Sequence, residues 1–176
     1  GVVTVNLPRI ALESEGDMNK FWEIFNERMN IAEDALVYRV ERTKEATPAN
    51  APILYQYGAF GRRLGKDESV DQLFKNRRAT ISLGYIGLYE VATVFFGNHW
   101  ENNPEAKEFT LDIIRDMKRR VEEWSDQYGY HFSIYSTPSE SLTDRFCRLD
   151  TEKFGSIPDI TDKEYYPNSF HYDVRK

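Results

Sequence analysis

The chain has 176 residues, of which 40% are apolar, and carries a formal net charge of −6 at pH 7. This size predicts one globular domain over residues 1–176. The balance of charges argues against nucleic acid as a partner, because the short basic runs form no basic face. No apolar stretch approaches the ~20 residues that span a bilayer. A single cysteine, Cys147, allows no internal disulfide, so we expect a cytoplasmic protein without membrane association.

The N-terminal part of the chain predicts a strand followed by a long helix. Residues 2–7 are mostly β-branched, and Pro8 stops the run, which is typical of a buried strand. Asp17 is the predicted N-cap of a helix that ends before Pro48. Residues 52–60 are rich in aromatic side chains and yield no assignment.

The following segment alternates strands and helices. The predicted elements are a strand over 80–86, a helix over 88–96, a helix over 104–128 and a strand over 131–135. Gly97 ends the first of these helices. Asn103 and Pro104 begin the second, and Gly129 ends it.

Residues 134–146 predict a strand that leads into a capped helix. Thr137 and Glu140 fit a capping box, with Pro138 at the first helical position. Beyond them Leu142, Phe146 and Leu149 recur at helical spacing, which predicts that this stripe faces a core.

The start of this helix is a candidate phosphate site. Free N–H groups and the positive end of the helix dipole attract anions. Four hydroxyls surround that point, from Ser136, Thr137, Ser139 and Ser141. The alternative is a self-capped helix without a ligand, and Glu140 favours it because its carboxylate competes with an anion.

Strands separated by long helical segments predict parallel pairing and an α/β layer or barrel. In such folds ligands bind beyond the carboxyl ends of the strands. Three features would converge there: Asn6 after the first strand, a bend at Gly84 and Gly87, and the turn at 136–141. Each also has a purely structural interpretation, as a turn or a packing device.

Catalytic and metal motifs are not recognisable in the sequence. The three histidines lie far apart and without metal-ligand spacing, which predicts no metal site. We expect Cys147 to be a packed side chain within a helix rather than a nucleophile.

Five segments carry a specific pattern: residues 1–10 (GVVTVNLPRI), 78–90 (RATISLGYIGLYE), 135–141 (YSTPSES), 144–150 (DRFCRLD) and 166–171 (YPNSFH). They resemble the anaerobic, class III ribonucleoside-triphosphate reductases, which are glycyl radical enzymes. The resemblance implies a ten-stranded α/β barrel with parallel strands and helical crossovers, of which residues 1–176 form a middle portion. It also implies that Ser136, Thr137, Ser139, Glu140 and Ser141 receive the substrate phosphates. We add Asn168 and Ser169 to Asn6, Gly84 and Gly87 as candidate pocket residues.

This family reduces ribonucleoside triphosphates to deoxyribonucleoside triphosphates for DNA replication, usually with formate as reductant. The resemblance implies a radical S-adenosylmethionine activase as a partner and a homodimer when the protein is complete. The family's radical-carrying cysteine and its ATP-binding regulatory domain precede the match to Gly1. Its glycyl radical and its zinc-binding cysteines follow the match to Lys176. Zinc and the ATP or deoxynucleotide effectors are therefore expected to bind outside this chain.

The chain begins with Gly1 rather than methionine, so we expect a piece of a longer protein. Cys147 matches neither radical cysteine, and we expect no catalytic residue in the chain and no activity from it alone. Two alternatives remain open from the sequence. One is a glycyl radical enzyme of the acyl- or C–C-lyase type, and the other is a phosphate-binding α/β module without catalysis.

Overall fold

A computed structural model describes residues 1–59, 61–75, 78–138 and 141–167. Along the chain the strands and α-helices are β1 (Val2–Asn6), α1 (Leu7–Glu13), α2 (Met18–Lys44), α3 (Pro52–Tyr55), β2 (Thr80–Ile86), α4 (Leu88–Phe96), α5 (Pro104–Tyr128), β3 (His131–Ser136) and α6 (Ser141–Phe154). The strands form a parallel sheet in the order β1-β2-β3, with helices in the connections. The predicted α/β class is confirmed.

Local signals determine the helix ends that the sequence predicted correctly. The Asn103 side chain accepts a hydrogen bond from the Glu105 N–H at 2.9 Å, as expected of an N-cap at the start of α5. Gly97 adopts a positive φ of 74° at the end of α4, and its N–H donates to the Thr93 carbonyl at 2.9 Å. Such conformations favour glycine, because a Cβ is strained there.

The sequence interpretation missed helix α1. Leu7 and Pro8 belong to this helix rather than to the first strand. Asn6 is its N-cap, since its side-chain oxygen accepts the Arg9 N–H at 3.1 Å. Proline is compatible with the first turn of a helix, where its absent N–H is not needed. An apolar run that ends in Asn-x-Pro therefore predicts a strand-to-helix turn better than a strand end.

Helix α6 begins later than predicted. It starts at Ser141, whereas Pro138 precedes the helix, so the predicted first helical position is wrong. The Thr137 N–H donates to the Tyr85 carbonyl at 3.2 Å, which draws this residue toward β2 rather than into a helical turn. Glu140, the other member of the predicted capping box, lies outside the described residues.

The described residues group into two compact units. The first comprises Gly1–Val3, Ile31–Leu83 and Lys118–Ile134. It contains a buried cluster formed by Tyr55, Leu64, Val70 and Leu73. The second comprises Thr4–Asn30, Gly84–Met117 and the described residues from Tyr135 onward. That residues 1–176 form one domain stays a prediction.

Aromatic packing fixes helix α4 within the second unit. Phe21 of α2 is fully buried, and its ring lies 5.6 Å from Phe95 of α4 and 5.3 Å from Phe109 of α5, both edge to face. Such ring pairs add about 0.5–1.5 kcal/mol to the burial of apolar area. Among the described residues, no helix combines the length and apolar character required to cross a membrane.

Candidate functional site at the strand carboxyl ends

The three strands end at one edge of the sheet, because they run parallel. Their last residues are Asn6, Ile86 and Ser136. The hydroxyls of Thr4 and Thr137 share a hydrogen bond of 3.0 Å although 133 positions separate them in the chain. The end of β3 is thereby attached to β1, as well as to β2 through the Thr137 N–H.

Asn6 is held in place by two different contacts. Its Oδ1 caps α1, and its Nδ2 donates to Oδ2 of Asp150 in α6 at 3.0 Å. The side chain therefore lies between the end of β1 and helix α6, in a fixed orientation. Asn6 was predicted to lie at this edge of the sheet, and its partner Asp150 was not.

Asp150 is a buried carboxylate, with 0% of its side chain exposed. Besides Asn6, it accepts hydrogen bonds from Nε of Arg9 at 2.5 Å and from the Tyr166 hydroxyl at 2.7 Å. Burial, followed by the nearby charge of Asp150, raises the pKa of Tyr166, which keeps this hydroxyl a donor. One carboxylate thus joins α1, α6 and the segment after α6. The Arg9 charge compensates for its burial.

This arrangement corrects the predicted face of helix α6. The residues that lie fully against the interior are Thr143, Cys147 and Asp150, whereas the predicted stripe of Leu142, Phe146 and Leu149 is only half-buried. The helix is rotated by about one residue from the orientation that apolar periodicity predicts. The reason is the set of three donors that satisfies Asp150, a tertiary feature that no local pattern reveals.

Cys147 is packed rather than reactive. Its Sγ donates to the Lys163 carbonyl at 3.2 Å, and burial raises the pKa of the thiol to about 11. The thiol is therefore protonated at neutral pH, when nucleophilic cysteines are thiolates.

The two predicted pocket glycines have different roles. Gly84 lies buried inside β2, which continues to Ile86, so the strand is not interrupted at Gly84 as predicted. Gly87 ends the strand with φ 80° and ψ 30° and is the N-cap of α4. A Cβ on Gly87 would lie 2.2 Å from Cγ of Pro8, so α1 and α4 approach too closely for any side chain at this position.

A buried ion pair lies three residues beyond this turn. The Glu90 carboxylate, 0% exposed, bonds to Nζ of Lys163, whose side chain is 8% exposed. Burial raises the pKa of Glu90 to about 7, although the Lys163 charge opposes the shift. No local sequence pattern predicts this pair, since Lys163 lies 73 positions from Glu90.

The residues of the predicted phosphate turn are partly described. Ser136 is half-buried and bonds to the Tyr85 phenol, whose pKa is raised mainly by burial. Thr137 is buried, and Ser141 is exposed as the first residue of α6. The other four predicted site residues lie outside the described residues: Ser139, Glu140, Asn168 and Ser169.

The structure places Asn6, Gly87, Ser136 and Thr137 at the carboxyl ends of the strands, and Ser141 begins the helix that follows β3. A helix start beside exposed and half-buried hydroxyls favours an anion, and Asn6 adds an oriented amide. The described parts of the chain contain no group of three or more His, Cys, Asp or Glu side chains that could hold a metal ion.

Known proteins with related sequences share one description. A sequence model of the family "Anaerobic ribonucleoside-triphosphate reductase" matches residues 1–176. The anaerobic ribonucleoside-triphosphate reductase of Escherichia coli strain K12 is 49% identical over 177 residues, which cover all of this chain and 25% of the relative. The enzyme of the same description from Enterobacteria phage T4 is 46% identical over 180 residues and is covered to 28%. The chain thus spans about a quarter of the length of these curated relatives.

Solved structures agree with the sequence relatives. The anaerobic ribonucleotide reductase from Thermotoga maritima, in complex with dATP and CTP, superposes with a TM-score of 0.73 at 27% identity. The match covers 95% of this chain and 26% of that protein. The same enzyme with citrate in the active site gives a TM-score of 0.72 at 28% identity, with 95% and 28% covered. With all of its residues matched by the family model, the chain belongs to the anaerobic ribonucleoside-triphosphate reductase family.

Proposed function

We propose that this chain acts within a longer protein that reduces ribonucleoside triphosphates to deoxyribonucleoside triphosphates. Its contribution is barrel scaffold together with part of the pocket for the substrate phosphates. The observation that carries the proposal is the meeting of Asn6, the Gly87 turn and the start of α6 at the carboxyl edge of one parallel sheet. Phosphates bind at such edges and at such helix starts.

The relatives supply the chemistry in this proposal. The Thermotoga maritima enzyme was solved with CTP and dATP, a ribonucleotide and a deoxynucleotide. As in the family, the reductant would be formate, and the radical that starts the reaction would be a glycyl radical installed by a radical S-adenosylmethionine activase. The complete protein would be a cytoplasmic homodimer. Zinc and nucleotide effectors would bind to other parts of that protein.

The residues of this chain would bind and orient rather than react. The first turn of α6 and the hydroxyls of Ser136 and Ser141 would receive phosphate oxygens. Ser139, Glu140, Asn168 and Ser169 remain predicted members of this site. Asn6, held by Asp150, would present its amide at the end of β1.

Substitution of Ser141 by aspartate in the complete reductase tests the phosphate site. An aspartate in the first turn of a helix stabilises it by about 0.3–1 kcal/mol, so the fold should be unharmed. The added charge should repel a triphosphate and weaken CTP binding by about tenfold or more, which anaerobic calorimetry at fixed salt can measure.

Asn19→Asp is the matched control. Asn19 is exposed in the first turn of α2, as Ser141 is in α6, and it receives the same charge. We expect CTP affinity within about twofold of the parent for this variant. Unchanged CTP affinity in Ser141→Asp would refute the phosphate assignment.

A further inference from the structure

The ion pair between Glu90 and Lys163 is one of the most buried charged contacts among the described residues. The two side chains are 0% and 8% exposed, and Nζ of Lys163 also lies 5.3 Å from the centre of the Tyr89 ring. The ammonium group is thus held by a carboxylate and an aromatic face that are consecutive in α4. A contact of this kind fixes the lysine in position and direction.

Stability does not explain this pair. Removing two charges from water costs several kcal/mol per ion, and a well-packed apolar pair of the same volume is often as stable. Oε2 of Glu90 moreover has no hydrogen-bond partner among the described residues, which adds an unsatisfied buried oxygen. That oxygen would lie 3.4 Å from a Cβ at Gly87, so it faces the turn at the end of β2.

The pair holds a segment that contacts the Gly87 turn, helix α6 and the Asp150 carboxylate. The Lys163 carbonyl accepts the Cys147 thiol, and the Pro167 carbonyl accepts the Gly87 N–H at 3.0 Å. Between them, Tyr166 donates to Asp150, the carboxylate that orients Asn6. Residues 163–167 therefore connect the Gly87 turn to the Asn6 amide.

We propose that Glu90 and Lys163 are positioning residues, whose ion pair clamps residues 163–167 against α4 and α6 and thereby sets the orientation of Asn6 and of the Gly87 turn. The inference rests on the proposed function, because its consequence is a change in ribonucleotide affinity. Neither residue would touch the substrate.

Two variants of the complete reductase separate positioning from stability. Lys163→Met leaves the Glu90 carboxylate buried without its partner, so we expect hydrogen exchange of the Gly87 amide to be at least about tenfold faster and the Kd for CTP to rise about tenfold. Glu90→Gln combined with Lys163→Met leaves no buried charge. Its melting temperature should return close to that of the parent, while the clamp and the CTP affinity remain impaired.

Lys153→Met is the control. Lys153 also pairs with a glutamate, Glu13, at 3.2 Å, but its side chain is 51% exposed, and exposed pairs contribute little. Gly87 exchange and CTP affinity should stay within about twofold of the parent in this variant.

Three results bear on separate parts of the inference. Unchanged Gly87 exchange in Lys163→Met would show that the pair does not hold the segment and would overturn the proposal. Parental CTP affinity in the double variant would overturn the positioning role, even if exchange were faster. If the parent itself does not bind CTP, the proposed function is overturned, and so is the affinity effect that depends on it. Hydrogen exchange of the Gly87 amide would then still decide whether the ion pair holds residues 163–167.

Discussion

Substitution of Gly87 by alanine tests how closely the elements of the candidate site approach one another. The residue has φ 80°, a conformation that costs an L-residue about 1–2 kcal/mol. The new Cβ would also lie 2.2 Å from Cγ and 2.5 Å from Cδ of Pro8, and both atoms belong to a rigid ring. Overpacking of this kind costs about 1–3 kcal/mol more. We therefore expect a total loss of about 2–5 kcal/mol in the free energy of unfolding.

Gly155→Ala provides the control, because Gly155 has nearly the same positive φ as Gly87, 81°, and the substitution introduces no clash. A Cβ at Gly155 meets nothing within 4 Å. Its loss should be limited to about 1–2 kcal/mol. The melting temperature of the complete reductase, compared with that of the parent, ranks the two losses. Equal losses at the two glycines would refute the close packing of α1 against the Gly87 turn.

Further predictions concern activity, assembly and pH. The chain alone should form no deoxynucleotide above an activase-only blank. The assay is run under strict anaerobiosis with activase, S-adenosylmethionine, formate and effectors. Product above that blank would make Cys147 a candidate catalytic residue again. The isolated chain should self-associate or be marginally stable, because β1 and β3 each have an edge that no other described strand covers. A monodisperse monomer in sedimentation, with outer-strand amides strongly protected from hydrogen exchange, would contradict this. The pKa of the Glu90 carboxyl is raised to about 7, so the folded state binds a proton there more tightly than the unfolded state does. The stabilisation that this proton gives to the folded state is complete below pH 4.5 and is lost as the pH rises to about 7. Between pH 4.5 and 7, the free energy of unfolding of Glu90→Gln should therefore increase relative to that of the parent by up to about 3 kcal/mol. Parallel curves of this free energy against pH would contradict the raised pKa of Glu90.

The sequence predicted the elements whose limits depend on neighbouring residues. The bounds of β2 and α4 agree with the structure, as does the start of α5. Each depends on a local signal, such as the Asn103 cap or the glycine at position 97. The parallel sheet followed from the spacing of its strands, and it correctly brought the strand ends together.

The remaining features depend on contacts between distant parts of the chain. Asp150 lies on the buried face of α6 because Arg9, 141 positions away, compensates for its charge. Apolar periodicity counts only apolar side chains, so it predicted that a different face of the helix is buried. Glu90 likewise acquires its role only through Lys163. Polar residues at the centre of a site are thus the positions at which local patterns predict least.

The central claim is that the start of α6 and the carboxyl ends of the strands receive the phosphates of a ribonucleotide. Hydrogen exchange of the complete reductase, with and without saturating CTP, tests it most directly. We predict slower exchange in the peptide that covers residues 134–143, and no change in the peptide over residues 104–110, which contains the equivalent first turn of α5. CTP-dependent protection elsewhere in the protein, with unchanged exchange over residues 134–143, would contradict the account.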